Sequence, residues 1–143
     1  MAIRRTLAIS GIAGIAGLIG GFAIAKTAYP PLDVLLSTGK TVIGQEIEYP
    51  GGTPKITAAI VTMKPGDSTG WHHHDAPLFA WILDGSLTVD YGADGTRTYE
   101  KGDSFMEAFR SEHNGTNTSD VDTRILAVFA GAEGVSNTVS VKN

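Results

Sequence analysis

From Pro50 onward the chain is cut into short runs by turn-forming residues, and that punctuation limits what it can fold into. The breaks fall at Pro50-Gly51-Gly52, Pro65-Gly66-Asp67, Asp84-Gly85, Gly92-Ala93-Asp94-Gly95, Lys101-Gly102-Asp103 and Gly131. Glycine and proline are the strongest local interrupters of regular structure. Between the breaks lie Thr41–Tyr49, Ile56–Met63, Leu78–Leu83, Leu87–Tyr91, Thr96–Tyr99 and Arg124–Ala130. These runs are short and rich in apolar and β-branched residues, as strands are. No stretch of the body holds a 3.6-residue period, apart from a short turn expected near Leu32–Leu36. The pattern predicts an all-β sandwich or barrel over residues 40–143. Residues 29–39, with Tyr29-Pro30-Pro31, read as a stiff linker before it.

Residues 1–28 are of another kind. Leu7–Ala25 carries no charge over 19 residues and follows Arg4-Arg5. As a helix it would reach roughly 28 Å, close to the thickness of a hydrocarbon core. The leading arginines would hold its start in the cytoplasm and put the barrel on the extracytoplasmic, periplasmic side. A cleaved signal peptide is one reading, with Ala23-Ile24-Ala25 or Lys26-Thr27-Ala28 as the small residues near a cleavage site. A retained transmembrane helix is the other. Ala13, Gly17, Gly21 and Ala25 recur every fourth residue and favour the anchor, since small side chains on one face let membrane helices approach closely.

Charge excludes one class of partner. Residues 1–28 hold Arg4, Arg5 and Lys26 and no acid, leaving eight basic and fifteen acidic groups, a net of −7, in the rest. A body so acidic repels nucleic acid. The absence of cysteine removes disulfides, thiolate metal sites and a cysteine nucleophile.

Three of the four histidines are consecutive, His72, His73 and His74, and the fourth is His113. Side chains alternate along a strand, so His72 and His74 share one face and His73 takes the other. Two imidazoles so placed can reach one metal ion. A third, from a distant strand, would complete a facial set with open positions.

The spacing around these histidines resembles that of the cupin superfamily. Gly66, His72, His74, Leu78 and Gly85 follow the first cupin motif, and Gly102, Ala108, Arg110, His113 and Asn117 follow the second. The resemblance covers residues 66–117 directly and about 40–135 with the flanking strands. It implies a jelly-roll β-barrel, here with an N-terminal hydrophobic helix, and one divalent transition metal (Fe, Zn, Ni, Mn or Cu) held by His72, His74 and His113. Leu78 departs from the family, which usually has a glutamate ligand there. Asp75 and Glu107 are candidates to replace it. Ala108 and Arg110 stand where the second motif usually has Pro and Gly, a change to a turn. Glu112 reads as a solvated loop acid and Asn117 as structural.

Leu78, Ala80 and Ile82 would line the lumen, with Phe79 and Trp81 on the opposite face, where they would suit the interface of a homodimer. Trp71, just before the first ligand, is either a pocket-mouth or a packing residue. No serine triad or nucleotide-binding loop is present. Cupins include dioxygenases, isomerases and lyases, so an enzyme acting on a small oxygen-containing molecule is one expectation. A non-catalytic accessory subunit, packed through its helix against other membrane helices, is the second. A bare metal-binding or sensing protein is the third.

Overall fold

The computed structural model describes residues 31–141. The hydrophobic run Leu7–Ala25, read above as anchor or signal, lies outside them. Among the described residues no helix is long and apolar enough to cross a membrane.

Among the described residues nine strands follow one another: β1 Pro54–Met63, β2 His72–His73, β3 Leu78–Asp84, β4 Ser86–Asp90, β5 Thr96–Glu100, β6 Ser104–Met106, β7 Asn114–Thr116, β8 Thr123–Ala132 and β9 Val139–Ser140. They form an antiparallel four-stranded sheet in the order β1-β8-β3-β6, a three-stranded sheet β5-β4-β7, and a two-stranded ribbon β2-β9. The core cluster draws Ala80, Ile82, Phe105 and Ile125 from the first sheet and Leu87 and Val89 from the second. Alternation produces this burial. Along β3, Leu78, Ala80 and Ile82 are buried while Phe79 and Trp81 are only partly so.

The turns account for the punctuation. Gly66 and Gly102 both have positive φ, +82° and +97°, which glycine adopts without steric penalty. In each turn the following aspartate closes the loop twice. Asp67 donates its N–H to the Lys64 carbonyl (2.9 Å) and accepts the Lys64 N–H on its carboxylate (2.8 Å). Asp103 does the same with Glu100, at 2.9 and 2.8 Å. Both motif glycines thus sit in the same Gly-Asp turn.

Gly85, with φ +70°, is the single residue between β3 and β4, where the chain passes from one sheet to the other. There the backbone runs hard against Asp122 and Thr123. Thr123 is fully buried and donates its hydroxyl to the Ser86 carbonyl at 2.7 Å.

Two expectations fail. Thr41–Tyr49 is not a strand. It forms a turn at Gly44 (φ +85°), with the Thr41 N–H donated to Gln45 and one isolated bridge between Lys40 and Glu46. The Gln45 side chain is used up in bonds to the Phe109 backbone at 2.7 and 2.9 Å, which pins the segment to the barrel as a loop. Leu32–Leu36 contains no helical turn. The Leu35 carbonyl instead accepts a hydrogen bond from Ser104 (2.6 Å).

Candidate metal centre

His72 and His113 exchange both backbone hydrogen bonds, at 2.9 and 3.0 Å. Residues paired in this way lie directly opposite, so their side chains rise together from one face. His74 follows two positions after His72 on the same face, and all three imidazoles are buried. Their ring centroids lie 4.4–5.0 Å apart. One nitrogen from each falls within 4.8 Å of the others. Strand alternation turns His73 away, with its Nε2 3.5 Å from Asp75 Oδ1. Asp75, a candidate ligand from sequence, therefore faces His73 and is absent from the cavity lining. Glu112 is exposed. Asn117 is structural, its amide donating to the carbonyls of Met63 and Val121 at 2.9 and 2.8 Å.

The tautomers are set by the backbone. His72 Nδ1 lies 2.9 Å from the Gly70 carbonyl, His74 Nδ1 2.8 Å from that of Asn137, and His113 Nδ1 2.9 Å from that of Ser111. A carbonyl can only accept, so each Nδ1 carries the proton and each Nε2 presents a lone pair. His113 Nε2 is buried with no hydrogen-bond partner. An orphaned buried acceptor is costly, and a cation would satisfy it. Neutral imidazoles, converging lone pairs and an orphaned Nε2 fit a divalent transition metal.

Sequence reasoning did not find the carbonyl partners. Any residue carries a carbonyl, so nothing in the sequence marks Gly70, Ser111 or Asn137. Residues 137–141 act as a buttress. Asn137 bonds His74, Val139 and Ser140 pair with His73 and His72, and Val141 donates its N–H to Trp71 at 3.0 Å. Trp71 itself is absent from the cavity lining.

The histidines open on a cavity of about 210 Å³, walled by Leu78, Ala80, Leu87, Val89, Phe105 and Ile125. That volume suits a small molecule. Glu107 lines the same cavity and is 5% exposed. Its Oε1 accepts the Ala108 N–H at 2.6 Å and its Oε2 lies 3.8 Å from His113 Nε2. Burial pushes its carboxyl up to about 7, against the pull of the Ala108 N–H.

Burial also holds His74 down at about 3 and keeps His72 and His113 below the ordinary 6.5. In metal-free protein, the unfolded chain gains protons below pH 6.5 that these folded imidazoles refuse, so acid favours unfolding. Glu107 works in the opposite sense, keeping between pH 4.5 and 7 a proton that the unfolded chain releases. Three imidazoles thus act in one direction and one carboxyl in the other. The urea midpoint measured in chelator should fall from pH 7 to pH 5, and a rise would show that Glu107 dominates.

Arg110, the residue in the family's glycine position, has φ +52°. The left-handed conformation lets its N–H reach the His74 carbonyl at 2.9 Å. Its guanidinium lies over the Phe109 ring at 4.7 Å, a contact that offsets part of the strain. Arg110→Gly relieves the strain but loses this contact and adds chain entropy, so it should hold stability within about 1 kcal/mol. Arg110→Val should cost about 2 kcal/mol, because branching at Cβ suits this conformation least. Thermal melts of the two variants test the order.

The model of the cupin domain family matches residues 59–129. Among solved structures, oxalate decarboxylase from Lactobacillus farciminis has a TM-score of 0.52 at 24% identity, over 60% of this chain and 26% of its own. Oxalate oxidase gives 0.52 at 20%, over 60% and 46%. The DMSP lyase of Ruegeria pomeroyi gives 0.52 at 22%, over 60% and 43%. The chain thus spans between a quarter and a half of the length of these proteins. No curated protein matches significantly. Antiparallel sheets enclosing three inward histidines, the paired Gly-Asp turns and the match over 59–129 agree, and residues 59–129 form a cupin domain.

Proposed function

We propose that this protein is a metal-dependent enzyme acting on a small oxygen-containing molecule, of the dioxygenase, isomerase or lyase type. The observation that carries the reading is the set of three buried imidazoles, one nitrogen of each within 4.8 Å of the others, on a small, mostly apolar cavity. Three protein ligands leave positions for substrate. A metal ion bound there would supply Lewis acidity or oxygen activation. The chain's own residues do the rest. Leu78, Phe105 and Ile125 exclude water and lower the local dielectric, which strengthens the attraction between a cation and an anionic substrate. Before metal binds, Glu107, with a carboxyl near neutrality, can hold a proton that coordination would release.

A small carboxylate is the first ligand to try. The Bacillus subtilis oxalate decarboxylase, 26% identical over 60% of this chain at a TM-score of 0.50, supports that choice. Titrating metal-loaded protein with oxalate, and with acetate as the monodentate control, should perturb the metal's spectrum with oxalate at lower concentration. A loaded protein whose spectrum ignores every small carboxylate and diketone offered would favour the accessory-subunit reading. The uncharged run Leu7–Ala25 supports an extracytoplasmic barrel, and a reporter fused after Asn143 tests the side.

A further inference from the structure

Glu107 occupies a particular place relative to the missing ligand. β3 and β6 pair with Phe79 opposite Met106 and Ala80 opposite Phe105. One step further along this register sets Leu78 opposite Glu107, and the Glu107 N–H donates to the Leu78 carbonyl at 2.9 Å. Directly opposed residues share a face, and both side chains line the cavity. The position that lost its carboxylate thus faces, across one rung of the ladder, a position that holds one.

The separation from His113 points the same way. Oε2 and Nε2 are 3.8 Å apart, too far for a hydrogen bond. Glu107 stands outside the trio of imidazoles whose nitrogens fall within 4.8 Å of one another, so it joins His72 and His74 on one ion only by a side-chain movement. Two donors bound to a single ion at about 2.1 Å each lie about 3–4 Å from one another. Oε1 accepts the Ala108 N–H, the Tyr91 hydroxyl also bonds the carboxylate, and Oε2 is the oxygen that faces His113 Nε2.

We propose that Glu107 is the carboxylate ligand of this metal centre, supplied from the strand opposite the one the family uses. The proposal rests on the three-histidine site being a metal centre. It converts a neutral donor set into one carrying a single negative charge and reduces the open positions by one. Ligand roles exchange across the ladder, and the ion stays in place.

Competition with a chelator for Zn(II) gives the affinity, and the absorption of Co(II)-loaded protein reports the ligand set. Glu107→Gln should weaken Zn(II) binding by more than the roughly 10–100-fold seen when an outer-shell partner of a metal site is removed, and should change the Co(II) bands. The exchange variant Leu78→Glu/Glu107→Leu should recover most of the affinity. Glu112→Gln should change nothing. Wild-type affinity and superimposable Co(II) spectra in Glu107→Gln would overturn the proposal while leaving the histidine site intact. Wild-type protein that takes up no metal would instead remove the metal centre, and the proposal with it. Glu107→Gln nearly preserves shape, so melting of its metal-free form checks folding independently of the exchange variant.

Discussion

His113→Ala is expected to take the protein from close to one equivalent of transition metal to almost none. The substitution removes the orphaned Nε2 and leaves two imidazoles and Glu107, one donor short of the wild-type set when a chelator competes. His72→Ala should act alike, since His72 and His113 rise from the same backbone pair. His73→Ala should leave metal content unchanged, because its ring is directed at Asp75. Elemental analysis of the three purified variants decides. Equal loss in all three would show that strand alternation does not govern the site. Melting gives a second readout, because an ion that binds only the folded state at a thousand times its Kd stabilises by about 4 kcal/mol. Wild-type protein should gain that stability on metal addition, and His113→Ala should not.

The largest loss of fold should come from Gly85→Ala. A Cβ there would lie 2.7 Å from Thr123 Oγ1, 2.9 Å from the Asp122 carbonyl oxygen and 2.9 Å from Thr123 Cα. Two of those atoms are backbone and cannot rotate away. A left-handed φ in a residue with a side chain costs about 1–2 kcal/mol, and forcing an atom into a packed region about 1–3 more. The sum is a large share of a small domain's stability, about 5–15 kcal/mol. The melting temperature should fall by about 10 °C or more. Gly66→Ala is the matched control, because its φ is also positive but nothing lies within 4 Å. If both variants melt together, the contact at the sheet corner carries no weight.

The sequence made some of this architecture legible and concealed the rest for physical reasons. Runs such as Ile56–Met63 and Arg124–Ala130 could be read because long strands carry enough residues to show their character; they lie within β1 and β8. β2, β6, β7 and β9 hold two or three residues each, too few to display any period. Thr41–Tyr49 looks like a strand because propensity favours one. It is a loop because Gly44 turns it and Gln45 binds it to Phe109. At the site, histidine spacing was enough to bring His72, His74 and His113 together on paper. Choosing between Asp75 and Glu107 was not possible from spacing, since the choice depends on which strand lies opposite Leu78.

Residues 137–141 give the site a history. His74 takes its orienting bond from Asn137, 63 positions later in the chain. At a synthesis rate of about 5–20 residues per second, those positions separate the two by roughly 3–12 s. For the last 24 of those positions, roughly 1–5 s, a nascent chain has all four histidines but not yet Asn137, which orients His74. A metal ion met then would find mobile imidazoles with either nitrogen free. The order of events therefore matters: an ion that arrives after residues 137–141 have docked meets a tautomer already decided.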